Sequence, residues 1–276
     1  MPLASAARNP ATQAPDQYLT VSGVRLRFRD EGTGPAVVLL HGWTLDLEMW
    51  DPQVARLRHA FRLVRLDRRG HGLSGGTPSP QDDAADVTAL CTRLGLNRVG
   101  VIGMSQGARS ALALSCGTSV GVAALLLDGP PSFDRAGPED VSLEHFRLLV
   151  RNGGMPAFRR EWLHHPLTQL HTADPQARAL LHTMIERFAG NEFAAGAAQN
   201  VPPPPVLPPV PALVLTGELD APSRIRSAER LSIELPRAEL TVIKGAGHLP
   251  NLDRPNEYSE VCRGFFDRHL RAHSGP

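Results

Sequence analysis

The sequence predicts an α/β protein: a doubly wound, mostly parallel sheet of about eight strands with helices on both faces and a small helical cap inserted after the sixth strand. Three observations predict it. Short runs of almost wholly apolar residues recur along the 276 residues, helical segments separate them, and one run hands over to a helix through a serine framed by two glycines.

Residues 1 to about 16 carry no basic start followed by an apolar stretch and are expected to be a disordered tail rather than a secretory signal. Tyr18 to Val21 and Val24 to Phe28, joined by Ser22-Gly23, are expected to form a hairpin. The second arm alternates apolar and basic residues, which predicts an antiparallel strand with one wet face.

Five apolar runs follow: Ala36–Leu40, Leu63–Leu66 with one interrupting arginine, Val99–Ile102, Val122–Leu127 and Ala212–Leu215. Such runs suit strands covered on both faces of a parallel sheet. A sixth, Leu240–Ile243, is shorter and half polar. Between them lie helical segments at Met49–Arg58, Asp82–Leu94, Ala108–Cys116 and Ser223–Leu235, with another at Asn256–His269 after the last run. Strand-helix alternation of this kind requires right-handed crossovers.

Residues 133 to 200 interrupt the alternation with helical runs at Leu143–Val150, Met155–His164 and Gln176–Phe188. Their position between two sheet strands predicts a lid over the strand ends, where open α/β sheets bind ligands. The proline-rich return, Val201 to Pro211, lacks amide donors and is expected to be a stiff connection. The domain expectation is therefore a core of residues 17–132 and 201–276 with a cap of residues 133–200.

Composition narrows the partners. Lys+Arg 29 against Asp+Glu 28 leaves a net charge of +1, which gives no footprint for nucleic acid or an anionic membrane. Cys91, Cys116 and Cys262 are an odd number at wide spacing, which argues against a disulfide framework and predicts a reducing, cytoplasmic setting. The longest apolar stretches fall short of the ~20 residues a membrane span needs. A small-molecule substrate and a monomer or homodimer are expected, with no metal and no organic cofactor.

The chemistry centres on Gly103-Met104-Ser105-Gln106-Gly107, a strand-to-helix turn that has the form of a nucleophile elbow. A serine hydroxyl needs a base, itself held by an acid. His248, in Lys244-Gly245-Ala246-Gly247-His248 after the last strand, is the candidate base. Asp220, in Thr216-Gly217-Glu218-Leu219-Asp220, is the candidate acid, and its rivals are Asp128, at the end of Leu125-Leu126-Leu127-Asp128, and Glu218, which is closer to the strand. The order Ser, Asp, His is the one this elbow usually keeps.

With these residues the chain resembles the α/β-hydrolase superfamily from about Tyr18 to His269. It also carries Leu39-Leu40-His41-Gly42-Trp43 and Asp67-Arg68-Arg69-Gly70-His71-Gly72-Leu73-Ser74. These segments, with Trp50-Asp51-Pro52-Gln53 and Gly245 to Leu252, are similar to 3-oxoadipate enol-lactonase-like and small carboxylesterase-like members. Gln106 departs from the methionine that lactonase-like members commonly carry after the serine. The resemblance implies an oxyanion hole made by the Trp43 and Gln106 amides, support from His41, and a loop pinned by Asp67, Arg69 and His71. It implies hydrolysis of a small ester or lactone; carbon-carbon bond hydrolysis, cofactor-free perhydrolysis and a low-turnover ligand receptor remain open on the same residues. Serine at position 105 excludes the dehalogenase and epoxide-hydrolase chemistries, which need a carboxylate there. Trp43, Met104, Phe133, Phe146, Trp162 and Leu249 are the candidate apolar lining of a substrate pocket between sheet and cap.

Overall fold

The computed structural model describes residues 14–117, 119–132, 140–193 and 207–271. Among these, eight strands form one sheet: β1 (Gln17–Val21), β2 (Val24–Glu31), β3 (Ala36–Leu40), β4 (Arg62–Leu66), β5 (Arg98–Met104), β6 (Gly121–Asp128), β7 (Ala212–Gly217) and β8 (Ala238–Ile243). Their spatial order is β1-β2-β4-β3-β5-β6-β7-β8. Only β2 runs against its neighbours; every pair from β4 to β8 is parallel. The helices are α1 (Asp51–Leu57), α2 (Pro80–Arg93), α3 (Gln106–Leu114), α4 (Leu143–Trp162), α5 (Pro175–Arg187), α6 (Pro222–Glu234), α7 (Pro250–Asp253) and α8 (Pro255–Leu270).

The central runs are apolar throughout because both their faces are covered. Val37 and Leu39 of β3, Ile102 and Met104 of β5, Leu126 of β6 and Leu213 and Leu215 of β7 pack into one core with α1 and α8. Their alternates, Val38, Val101, Leu125, Leu127 and Val214 among them, pack into a second core with α2, α3 and α6. The half-polar character of the last run has a matching cause: β8 is an edge strand that leaves Leu240 and Val242 exposed.

Arg25 of β2 is exposed, as a wet face requires, but the two arginines that follow it are not. Arg27 and Arg29 are buried. Arg27 pairs with Asp16, Glu48 and Asp67, and Arg29 with Asp16, so acidic partners from distant segments cover what the alternation alone reads as solvent-facing. The interrupting Arg65 of β4 is likewise buried, against Glu31 and Asp51. Asp16, together with the Ala14 amide on Glu31, also ties down the end of the segment expected to be a tail. Residues 1–13 lie outside the described residues.

Between β6 and β7 stand α4 and α5. Inside α4, Gly154 takes φ 68° two residues before Pro156, which divides it into the two helical runs expected on either side. Phe146, Phe158 and Trp162 of α4, and Leu181, Met184 and Ile185 of α5, join the core of the α1/α8 face. Of the proline-rich return, residues 201–206 lie outside the described residues; 207–211 lead without regular structure into β7.

Candidate active site

Ser105 joins β5 to α3 with φ 52° and ψ −114°, a left-handed backbone that a non-glycine residue keeps only when its surroundings force it. Its amide donates to the Asp128 carbonyl at 2.8 Å. A Cβ on Gly103 would overlap the Gly107 carbonyl, and one on Gly107 would overlap the Leu40 carbonyl, so both glycines are required by the approach of helix to sheet. The turn presents the serine at the strand end, ahead of the free amides of the α3 N-terminus.

Asp220 and His248 meet at that same end. His248 Nδ1 donates to Asp220 Oδ2 at 2.9 Å, and both residues are buried. Asp220 Oδ1 accepts the Ala221 amide at 2.7 Å and Oδ2 also accepts the Thr216 hydroxyl at 3.3 Å, so the carboxylate is fixed in direction. With its Nδ1 proton committed, the imidazole keeps the Nε2 lone pair available. A Cβ on Gly129 would lie 2.8 Å from His248 Cε1 and 3.4 Å from Asp220 Oδ2, and the residue before it supplies the carbonyl that holds Ser105. The end of β6 thus touches both the Ser105 amide and the imidazole.

The rival acid sits elsewhere in this cluster. Asp128 is fully buried, and neither carboxyl oxygen has a hydrogen-bond partner among the described residues. Burial, then the neighbouring charge of Asp220, pushes its pKa well up, which favours the protonated form. Tyr258 lies alongside, its hydroxyl outside hydrogen-bond geometry. An acid without the imidazole contact is a poor stabiliser of an imidazolium.

The segment after β3 carries Trp43. Gln106 is the first residue of α3, and neither its amide nor that of Trp43 donates to a backbone carbonyl among the described residues. His41 is buried with a defined tautomer: Nε2 accepts the Arg68 amide at 2.9 Å, which leaves Nδ1 to donate to the Gly42 carbonyl at 2.7 Å. Burial first, then the charge of Arg68, holds its pKa well below the ordinary histidine value. Asp67 accepts the amides of Leu47 and Leu73, each at 2.8 Å, and Arg69 pairs with Asp86, while His71 Nδ1 meets the Arg69 carbonyl at 3.1 Å. The expected pinning of the 67–74 loop is present in these contacts.

Of the candidate lining residues, Phe146 and Trp162 pack around the Trp43 ring, and Met104 and Leu249 are buried in the same core. Phe133 lies outside the described residues. Sequence reasoning missed Phe158, Phe188 and Phe193, which complete the aromatic cage around Trp43. It also missed Asp253, whose Oδ2 accepts the Gly247 amide at 2.8 Å and whose Oδ1 accepts the His171 amide at 2.6 Å. One carboxylate therefore ties the loop bearing His248 to the segment between α4 and α5. Its position five residues after His248, at the end of the four-residue α7, is the only signal the sequence offers.

No group of three or more His, Cys, Asp or Glu side chains able to hold a metal ion occurs among the described residues. No helix among them is long and apolar enough to cross a membrane.

A sheet of this order, with a left-handed serine at the end of β5 and a histidine-carboxylate pair beside it, defines an α/β hydrolase. The chain belongs to the alpha/beta hydrolase family, whose sequence model matches residues 37–261. It is 28% identical over 246 residues to a pimeloyl-[acyl-carrier protein] methyl ester esterase of Nitrosomonas europaea, covering 84% of this chain and 96% of that protein. It is 34% identical to an N-formylmaleamate deformylase of Pseudomonas putida over 53% of this chain and 63% of the relative. Among solved structures, a thermophilic esterase from Thermogutta terrifontis matches with a TM-score of 0.78 and 28% identity, covering 92% of this chain and 99% of that one. The enol-lactonase of Burkholderia xenovorans LB400 matches with a TM-score of 0.75 and 26% identity over 91% and 99% of the two chains.

Proposed function

We propose that the protein is a serine hydrolase that cleaves a small carboxylic ester or lactone through an acyl-enzyme intermediate. The observation that carries this reading is the buried His248–Asp220 pair, 2.9 Å apart, beside a serine held at φ 52°. Ser105 attacks the carbonyl carbon while His248 Nε2 takes its proton, and Asp220 stabilises the imidazolium. The Trp43 and Gln106 amides receive the negative charge of the tetrahedral intermediate. His248 then returns its proton to the leaving alkoxide, which departs as the alcohol. A water, deprotonated by the same imidazole, releases the acid and regenerates the hydroxyl. Residues 133–200 act as the cap in this reading, and the aromatic cage around Trp43 favours an apolar acyl or alcohol group.

The support for an ester or lactone is the similarity to an esterase and an enol-lactonase of known structure, each spanning over nine-tenths of this chain. Wild type is expected to hydrolyse short p-nitrophenyl esters and to be labelled stoichiometrically by a fluorophosphonate probe, with both lost in Ser105→Ala. Equal hydrolysis by the two would remove Ser105 from the mechanism. Folded wild type that takes no label would favour a ligand receptor. A panel of lactones, aliphatic and aryl esters and diketones, with and without peroxide, separates ester hydrolysis from carbon-carbon cleavage and perhydrolysis.

A further inference from the structure

The loop that carries Trp43 is held from two sides. From the sheet side, Arg68 Nε donates to the His41 carbonyl at 3.1 Å, and the Arg68 amide anchors the His41 ring. From the other side come contacts from three separate elements between β6 and β7. The Trp43 indole Nε1 donates to Glu192, which lies beyond α5 in a single 3-10 turn. Trp162 Nε1, at the end of α4, donates to Thr44 Oγ1 at 2.8 Å. Arg187, at the end of α5, pairs with Asp46 at 2.5 Å. Three of the four residues from Trp43 to Asp46 are thus gripped by the insertion.

Two features of these contacts exceed what docking an insertion requires. Thr44 sits at φ 62°, a left-handed backbone that is a marked outlier for a β-branched residue and persists only under outside constraint. Its side chain is buried, and the Trp162 indole is the partner of its hydroxyl. Glu192 is buried at 1% exposure, and its second oxygen, Oε2, has no partner among the described residues. Burying a carboxyl with one oxygen unpartnered is unfavourable when an apolar side chain could fill an aromatic cluster equally well. The return is the fixed orientation of one indole, whose own backbone amide faces the elbow in the proposed mechanism.

We propose that Glu192, with Trp162 acting through Thr44, is a positioning residue for the Trp43 amide, so that the oxyanion hole is complete only while the insertion is docked. The inference rests on the acyl-transfer reading above for its kinetic consequence, though not for its structural one. Neither residue touches the reacting atoms; each acts by setting the direction of an N–H that must meet charge appearing on the substrate oxygen. Displacing such a donor weakens transition-state binding far more than substrate binding.

The test uses Glu192→Leu, which removes the acceptor, Glu192→Gln, which keeps one, and Trp162→Phe, which keeps an aromatic ring and deletes one hydrogen bond. Glu192→Leu and Trp162→Phe are each expected to lower kcat on p-nitrophenyl butyrate by about tenfold or more, with KM within about twofold of wild type. Glu192→Gln is expected to stay within about threefold of wild type in both constants, because its amide oxygen still accepts from the indole. A rise in KM with kcat unchanged in the first two would overturn the proposal, making these residues pocket wall only; so would a Gln variant as impaired as the Leu variant. Should Glu192→Leu fail to fold, Trp162→Phe decides the matter by the same split. In 15N-labelled protein the Trp43 backbone amide is expected to shift in Glu192→Leu and Trp162→Phe whether or not wild type turns over esters. An unmoved Trp43 amide in both variants overturns the positioning role, while a shifted amide in a protein that hydrolyses nothing upholds it and rejects the acyl-transfer reading alone.

Discussion

Two aspartates lie close to one histidine, and only one of them meets it. Asp220 shares its Oδ2 with His248 Nδ1 and is oriented by the Ala221 amide. Asp128 is buried without a hydrogen-bond partner among the described residues, and burial raises its pKa. Replacing a carboxyl that makes no hydrogen bond to the imidazole by an amide keeps its shape and leaves the His248–Asp220 pair in place. Asp220→Asn is accordingly expected to lower kcat/KM by about a hundredfold or more, and Asp128→Asn by no more than about threefold. Steady-state kinetics on one ester check the ranking, and the reverse order would move the acid to the end of β6. At the sequence level both residues follow an apolar strand, and Asp220 is preferred only because the strand end before it is the usual source of the acid; the contact with His248 is a tertiary outcome.

The elements that build the site do so by close approach. α3 meets the end of β5 with no room for a methyl group on Gly103 or Gly107, because each such carbon would fall on a main-chain carbonyl. Main chain cannot yield as a side-chain tip can, so Gly107→Ala is expected to cost about 1–3 kcal/mol in urea unfolding and to slow fluorophosphonate labelling. Full stability in that variant would contradict the packing described. The spacing of these glycines around the serine is legible in the sequence, as are the strand, the turn and the helix, since all are local. The clamp at Asp253 is not. It joins the Gly247 amide to the His171 amide, a residue 82 positions away, and neither partner is marked by composition or periodicity.

Across the whole molecule, buried ionisable groups pull stability in opposite directions with pH. Burial and the charge of Arg68 bring the His71 pKa down from 6.5 to about 3, so the native state stays neutral where the unfolded chain takes up a proton. That contribution is complete above pH 6.5 and is lost as pH falls toward 3. Asp46 runs the other way: burial, then the charge of Asp67, raises its pKa from 3.8 to about 7, so the native state holds a proton the unfolded chain releases. Its contribution fades as pH rises through that window, and the raised pKa of Asp128 has the same sign. The stability of Asp128→Asn relative to wild type is therefore expected to improve as pH rises above the ordinary aspartate value of 3.8 in urea titrations. A constant difference would mean that Asp128 is ionised in the native state. The sequence by itself determined the doubly wound sheet, its central strands and the strand-turn-helix that carries Ser105, because hydrophobic period and turn chemistry are written in neighbouring residues. Tertiary structure alone decided that Arg27 and Arg65 are buried, which aspartate meets the histidine, and that Glu192, Trp162 and Arg187 grip the loop bearing Trp43. Those outcomes depend on pairings between segments far apart in the chain, where burial sets the charge of a group and the fold supplies its partner.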